Sequence, residues 1–169
     1  MGFHITEGDI TLIKSDAIVN AANTSLLGGG GVDGAIHRAA GRELLNECRK
    51  LGGCATGQAK ITCGYNLPAK FIIHTPGPVW RGGTADEAEL LKSCYTASLR
   101  LAKENGLKSV SFPSISTGVY RFPLPLAADI AIQAILDFLK AHPDLDVTMV
   151  CFDKRTKKAY MEALKKNTV

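Results

Sequence analysis

The chain has 169 residues, of which 46% are hydrophobic and 21% are charged. This length suits one domain of roughly 100–200 residues, and the apolar content excludes an intrinsically disordered chain, so we expect a single domain over residues 1–169. The net charge of +4 favours anionic ligands but is too small to indicate nucleic acid by itself.

Short apolar runs rich in β-branched residues alternate with segments of helical periodicity along the chain. In chain order, strands are predicted at residues 3–5, 17–19, 59–63, 71–74, 110–112 and 147–152, and helices at residues 35–50, 86–104, 126–139 and 157–164. This alternation predicts an α/β sandwich with a mainly parallel central sheet, in which the direction of the first strand stays open. Because ligands bind such sheets beyond the carboxyl ends of the strands, the loops that follow strands are the candidate sites.

The first unusual loop covers residues 20–34, between a predicted strand and a predicted helix. Its four glycines, Gly28, Gly29, Gly30 and Gly31, lack a Cβ and permit positive φ, so their N–H groups can converge on an anion. The helix that follows adds free N–H groups and the positive end of its dipole. The loop therefore resembles a phosphate cradle, although no Walker A lysine follows it. The alternative is a flexible turn that only needs glycine.

Two polar side chains near this loop have two interpretations each. Asp33 is either a catalytic carboxylate or a first-turn acid that stabilises the helix dipole. Asn23 either contacts a ligand or bridges the backbone of the loop.

The second unusual loop, residues 113–122, also lies between a predicted strand and a predicted helix. Its small hydroxyl side chains and Gly118 can present O–H and N–H donors to phosphate oxygens, and Tyr120 and Phe122 add aromatic surface. Two such loops suggest a diphosphate held from both sides. The alternative is a hydroxyl-rich turn before a helix.

The five cysteines are odd in number and irregularly spaced, which excludes a disulfide framework and a zinc ribbon. We predict no metal site and no cofactor, and we interpret His37 and His74 as structural. Neither a signal peptide nor an apolar run of about 20 residues is found, so a cytoplasmic protein without membrane contact is expected. The basic residues near the C-terminus are interpreted as a solvated helix face, with a nucleic-acid patch as the alternative.

Taken together, residues 20–23 (NAAN), 28–34 and 114–120 resemble the macrodomain family, in particular its MacroD-type hydrolase branch. The similarity extends from residue 8 to residue 153 and includes residues 74–80. The resemblance implies a single macrodomain, built as a three-layer α/β/α sandwich around a mixed, mainly parallel sheet, with ADP-ribose in a cleft over the sheet.

The same resemblance implies a role for each site residue. Asp9 would accept a hydrogen bond from the adenine amino group beside the Ile10 backbone, and Phe152 would lie against adenine, unless it is an ordinary core residue. Asn23 would bind the distal ribose, where Asp33 would orient or activate a water. The diphosphate would be held by Gly28, Gly29, Gly30, Gly31, Val32, Ser114, Ile115, Ser116, Thr117, Gly118, Val119 and Tyr120.

The implied activity is hydrolysis of ester-linked ADP-ribose, either on aspartate or glutamate of mono-ADP-ribosylated proteins or in O-acetyl-ADP-ribose. The alternative is a reader module that binds ADP-ribose without turnover. Asn23 and Asp33 favour the enzyme, because a reader needs no acid near the distal ribose.

Overall fold

The computed structural model describes residues 2–168; Met1 and Val169, the ends of the predicted domain, lie outside the described residues. The strands are β1 (Gly2–Glu7), β2 (Ala17–Ala22), β3 (Lys60–Cys63), β4 (Phe71–Pro76), β5 (Ser109–Phe112) and β6 (Asp146–Cys151). The α-helices are α1 (Gly31–Ala40), α2 (Arg42–Leu51), α3 (Glu87–Glu104), α4 (Leu124–Ala141) and α5 (Lys154–Asn167), and a 3-10 helix spans Ile10–Leu12. No helix within residues 2–168 is long and apolar enough to cross a membrane.

The six strands form one mixed sheet in the order β1-β6-β5-β2-β4-β3. Five of them are parallel, and β3 alone runs antiparallel to its neighbour β4. The first strand, whose direction the sequence left open, is parallel to β6. The predicted mixed, mainly parallel sheet is therefore confirmed.

Helices cover both faces of the sheet, which gives the three layers. Val19 and Ile73 pack with the buried side chains of α3, α4 and α5, whereas their neighbours Ile18 and Ile72 pack with those of α1 and α2. This alternation follows from the strand, in which successive side chains point to opposite faces. Each fully buried aliphatic side chain stabilises the folded state by about 1.5–3 kcal/mol. Because such side chains lie on both faces, packing on both sides stabilises the central strands.

The single helix predicted at residues 35–50 is wrong: the structure has two helices that meet at Gly41. Gly41 has a φ of 98°, and a Cβ there would lie 2.9 Å from Asn66 Nδ2. The periodicity concealed this break, because Ile36, Ala40, Leu44 and Cys48 keep a spacing of four residues and all remain buried. The first of the two helices begins four residues earlier than predicted, directly at the last of the four glycines.

Other element ends also differ from the prediction. The strands β2 and β4 continue to Ala22 and Pro76, and so carry the chain to the sheet edge where the unusual loops begin. Helix α5 begins at Lys154 because Asp153 caps it, with its carboxylate accepting the N–H of Thr156 at 2.8 Å. An N-cap lies before the first helical residue, so apolar periodicity alone does not mark where the helix begins.

The loop between β4 and α3 is organised by one buried carboxylate, Glu87. Its oxygens accept the backbone N–H groups of Arg81, Gly83 and Ala85 at 2.8, 2.8 and 2.5 Å. Burial raises the pKa of Glu87, but the backbone donors outweigh that effect and lower it to about 2. The carboxylate therefore holds the loop in its charged form.

This arrangement predicts a pH-dependent stability difference between the wild type and Glu87→Gln. The folded pKa of about 2 lies below the ordinary value of 4.5, so the contribution of the carboxylate is present above pH 4.5 and is lost as the pH falls towards 2. We expect Glu87→Gln to be less stable than the wild type in urea unfolding at pH 7, and the difference to narrow below pH 4.5. Glu89→Gln, exposed on the same helix, is the control; a Glu87→Gln difference that stays constant down to pH 3 would contradict this role.

Candidate active site

The two unusual loops lie side by side at the carboxyl edge of the sheet. The glycine loop (residues 23–30) follows β2, and the serine loop (residues 113–123) follows β5, which pairs with β2 in parallel. Parallel neighbours end at the same edge, so the two loops face each other across a crevice of the kind in which α/β sheets bind ligands.

Asn23 organises the glycine loop. Its Nδ2 donates to the carbonyl of Gly28 at 2.8 Å, and its Oδ1 accepts from the backbone N–H and the hydroxyl of Ser25 at 3.1 and 2.5 Å. Bridging of the loop backbone is therefore one role of Asn23. The amide nitrogen carries two hydrogens, so a second donor remains for a ligand.

Asp33 lies beneath the glycine loop with only 4% of its surface exposed. Its Oδ1 accepts from Asn20 Nδ2 at 2.8 Å and is 3.5 Å from His37 Nε2. A Cβ placed on Gly29 would be 3.1 Å from Asp33 Oδ2 and 3.3 Å from Asn23 Nδ2. The two candidate catalytic side chains therefore both lie next to Gly29.

The environment of Asp33 makes its carboxylate a stronger base. Burial raises the pKa of Asp33, and the hydrogen bond from Asn20 and the charge at His37 oppose this only in part. Asp33 also lies in the first turn of α1, where an acidic side chain stabilises the helix dipole. The structure is therefore consistent with this interpretation of Asp33 as well.

The start of α1 provides backbone donors to the crevice. Gly30 is the N-cap and has no side-chain cap hydrogen bond. The first N–H groups of a helix have no acceptor within that helix, and together with the helix dipole they form an anion site. Val32, in the same first turn, packs against the core beneath.

Two hydroxyls of the serine loop, those of Ser114 and Thr117, already have partners within the protein. Thr117 Oγ1 donates to Ser114 Oγ at 2.8 Å, and Ser114 Oγ is 2.8 Å from Tyr160 Oη. Ile115 is buried, and its N–H donates to Tyr95 Oη at 3.2 Å. The backbone N–H groups after Ile115 are free to bind a ligand: within residues 2–168, none of Ser116, Thr117, Gly118, Val119 and Tyr120 donates its N–H to a protein acceptor.

Ser116 has a strained backbone and a tightly packed side chain. Its φ is +67°, and its hydroxyl is buried with no hydrogen-bond partner among residues 2–168. A Cβ on Gly77 would lie 2.2 Å from Ser116 Oγ and 2.6 Å from Ile115 Cγ2. Gly77, directly after β4, therefore permits the close approach that sets the position of the serine loop.

The far end of the crevice is formed by the ends of β1 and β6. Asp9 caps the 3-10 helix, its Oδ1 accepting from the N–H and the hydroxyl of Thr11 at 2.9 and 2.7 Å, and Ile10 is buried behind it. Phe152 lies one residue beyond β6 and is 85% exposed. The interpretation of Phe152 as a core residue, and its assignment to the last strand, are therefore wrong. The strand turns away at Cys151 and leaves an aromatic ring in solvent beside the crevice.

A cavity of about 320 Å³ opens at the other end of the crevice, between Asn23 and Tyr120. The end of β4 and the loop held by Glu87 form its walls, with Thr24 and Arg81 at its lining. The backbone N–H of Trp80 donates to the carbonyl of Tyr120 at 2.8 Å, so this wall and the serine loop are tied together.

Three residues beside Asp33 were not predicted as site residues. Asn20 and His74 are fully buried, and they face each other in the parallel register of β2 and β4. His37 follows Asp33 by one helical turn. The amide inside an otherwise apolar strand was a usable signal for Asn20, and the spacing of four residues was one for His37; nothing in the sequence paired His74 with Asn20.

The remaining predicted features lie away from the crevice. The basic residues near the C-terminus lie on or beside α5, where Lys154, Arg155, Lys158, Lys165 and Lys166 are exposed; their binding of nucleic acid stays a prediction. Among residues 2–168, no group of three or more His, Cys, Asp or Glu side chains is arranged to hold a metal ion.

Comparison with known proteins decides the family. A family model for the Macro domain matches residues 19–131. The chain belongs to the macrodomain family. This macrodomain is 58% identical over 147 residues to the ADP-ribose glycohydrolase MACROD2 of Xenopus laevis, covering 86% of the chain and 35% of that protein. It is 54% identical over 167 residues to the O-acetyl-ADP-ribose deacetylase of Citrobacter koseri, covering 95% and 94%.

A solved structure of a mutant Oceanobacillus iheyensis macrodomain with ADPR has a TM-score of 0.93 and 48% identity to this macrodomain, covering 96% of the chain and 91% of its own. The predicted family and the predicted three-layer macrodomain fold are confirmed.

The contact at Gly77 predicts a destabilising effect of one methyl group. The methyl group of Gly77→Ala would clash with both Ser116 and Ile115 and push the serine loop away from β4. Overpacking of this kind costs about 1–3 kcal/mol. We expect that loss in the free energy of unfolding measured with urea. Gly8→Ala is the control, because a Cβ there meets nothing within 4 Å; equal stability of the two variants would show that the serine loop does not depend on this contact.

Proposed function

We propose that this macrodomain binds ADP-ribose in the crevice between the two loops and hydrolyses the ester that joins its distal ribose to a carboxyl group. The chain is an ADP-ribose-binding hydrolase, in keeping with relatives named ADP-ribose glycohydrolase and O-acetyl-ADP-ribose deacetylase at 58% and 54% identity. The observation that carries the mechanism is that Asn23 and Asp33 both lie next to Gly29, in the glycine loop that leads into α1.

The free backbone donors support a position for the diphosphate. We place it over the N-terminus of α1, between Gly28, Gly29, Gly30, Gly31 and Val32 on one side and the N–H groups of Ser116 to Tyr120 on the other. Backbone N–H groups and a helix dipole suit the two negative charges without any basic side chain. Ser114 and Ile115 would then support the serine loop from behind, because their polar groups are occupied by Tyr160 and Tyr95.

The exposed ring of Phe152 and the carboxylate of Asp9 are the basis for placing adenine at the far end of the crevice. An aromatic side chain that is 85% exposed gains burial when a flat base covers it. Asp9 Oδ1 is already used by Thr11, which leaves Oδ2 to accept a hydrogen bond from the adenine amino group. Ile10 would present its backbone beside it.

The distal ribose would lie over Asn23 and Asp33. With Oδ1 bound to Asn20, Asp33 uses Oδ2 to orient a water and draw off its proton, aided by the ligand's own phosphate. The water oxygen adds to the ester carbonyl, the bond from that carbon to the ribose oxygen breaks, and the ribose oxygen takes the proton that Asp33 drew from the water. The new carboxyl group loses its own proton to solvent. The products are ADP-ribose and a carboxylate, and Asn23 contributes by holding the ribose in place.

The cavity between Asn23 and Tyr120 is the space in which we place the acyl group. It holds about 320 Å³, enough for acetate and for the side chain of a modified aspartate or glutamate. We propose mono-ADP-ribosylated proteins and O-acetyl-ADP-ribose as substrates on this basis. We also propose a cytoplasmic location, which the five unpaired cysteines support.

Asp33→Ala separates the hydrolase from a reader module. We expect turnover of O-acetyl-ADP-ribose to fall by about 10²–10⁴-fold, the usual contribution of a positioned base, while ADP-ribose still binds in titration calorimetry. Asp137→Ala, an exposed carboxylate on α4, should behave like the wild type. Binding without turnover in the wild type would mean a reader, and parallel loss of binding and turnover in Asp33→Ala would mean that Asp33 is structural.

Gly30 tests the position of the diphosphate. A Cβ at Gly30 meets nothing within 4 Å, so the fold accepts a side chain there, but a glutamate would place bulk and negative charge at the anion site. We expect Gly30→Glu to lower ADP-ribose affinity by roughly tenfold or more, and Gly30→Gln, matched in size, to lower it less. Unchanged affinity in Gly30→Glu would put the diphosphate elsewhere.

A further inference from the structure

A row of buried polar side chains crosses three neighbouring strands and ends at Asp33. Asn20 of β2 donates to Asp33 at 2.8 Å, and the same Nδ2 is 3.1 Å from His74 Nδ1 on β4. The other ring nitrogen, His74 Nε2, is 2.9 Å from Thr62 Oγ1 on β3. All four side chains are at least 96% buried, with exposed fractions of 4% for Asp33, 2% for Thr62 and 0% for the other two.

The chemistry of the groups assigns a direction to every bond in this row. An ionised carboxylate only accepts, so Asn20 must turn its NH₂ towards Asp33. That nitrogen has no lone pair to offer, so His74 Nδ1 must accept its second hydrogen. A neutral imidazole then carries its proton on Nε2 and donates it to Thr62. The hydroxyl of Thr62 can receive that bond because its own proton goes to the carbonyl of Cys63, 3.2 Å away.

The surroundings of His74 keep its ring neutral. Burial, followed by the charge at His37, lowers the pKa of His74 to about 3. The ring of His37 on α1 lies with its centroid 6.4 Å from that of His74. Cys48 Sγ on α2 is 4.0 Å from His74 Nε2, and burial raises the pKa of that thiol to about 11, so it stays protonated and is a weak acceptor.

We propose that Thr62 and His74 are positioning residues for hydrolysis: Thr62 selects the Nε2–H tautomer of His74, which holds the Asn20 amide with its NH₂ facing Asp33. This inference rests on the proposed role of Asp33. Neither Thr62 nor His74 touches the crevice; they act through Asn20.

The alternative state of the row shows what this selection prevents. If His74 carried its proton on Nδ1, Asn20 would have to turn over and accept with Oδ1. That oxygen would then face Asp33, which could bond to it only as a neutral acid. The tautomer of a histidine on β4 is thereby coupled to the protonation of the carboxylate on α1, and Thr62 biases it towards the ionised, basic form.

Thr62→Val removes the acceptor but keeps the shape of the side chain, and Thr62→Ser keeps the hydroxyl. We expect the acid limb of the pH profile of kcat/KM for O-acetyl-ADP-ribose to move to higher pH by roughly one unit in Thr62→Val, because one hydrogen bond to a charged group is affected. At high pH the rates should converge, and ADP-ribose affinity should stay unchanged. Thr62→Ser should follow the wild-type profile. Superimposed profiles of Thr62→Val and wild type, or a loss of rate that is equal at all pH values, would overturn the proposal.

The tautomer is measured directly on the wild type by ¹⁵N NMR of the histidine rings, and this measurement needs neither turnover nor a folded variant. We expect a proton on Nε2 and a bare Nδ1 for His74. A wild-type ring protonated on Nδ1 would overturn the proposal even if hydrolysis through Asp33 is established. An Nε2–H ring in a protein without hydrolytic activity would instead count against the proposed role of Asp33 alone.

Discussion

The hydrogen bond between Asn20 and Asp33 joins the sheet to the helix on which the site is built. Asn20 lies in β2, the strand that leads into the glycine loop, and Asp33 lies in the first turn of α1, the helix that follows it. One buried bond of 2.8 Å therefore closes the strand, loop and helix into a unit. An acid without a donor at this depth would be costly, so the amide both permits the burial of Asp33 and fixes its direction.

This closure explains how so many glycines can form an ordered site. The four glycines carry no side chain that packs, and Gly28 and Gly31 have positive φ values of 95° and 58°. Order comes instead from the polar groups around them: Asn23 holds the carbonyl of Gly28, and Asp33 lies directly below Gly29. These side chains leave the backbone N–H groups of Gly28, Gly29, Gly30 and Gly31 without a protein acceptor within residues 2–168, as the proposed binding of the diphosphate requires.

A second buried carboxylate, Glu87, orders the opposite wall of the crevice. Glu87 gathers three backbone N–H groups of the loop after β4, and Trp80 in that loop bonds to the carbonyl of Tyr120. The two acids are used in opposite ways. Backbone donors keep Glu87 charged and inert, whereas burial raises the pKa of Asp33 and makes it a better base. The number and kind of hydrogen-bond donors, rather than the depth of burial alone, therefore determine in which direction the pKa of a buried carboxylate moves.

The sequence by itself determined the alternation of strands and helices and the two loops that face the crevice, since these depend on local periodicity and on glycine and hydroxyl residues close together in the chain. The family came from the resemblance of those loops to known macrodomains. The break at Gly41, the exposure of Phe152 and the row from Asp33 through Asn20 and His74 to Thr62 were decided only by the tertiary structure. Asn20, Thr62 and His74 lie on three different strands, and only the register of β2 with β4 and of β4 with β3 brings them together. Contacts between strands distant in the chain follow from sheet pairing, which no local pattern records.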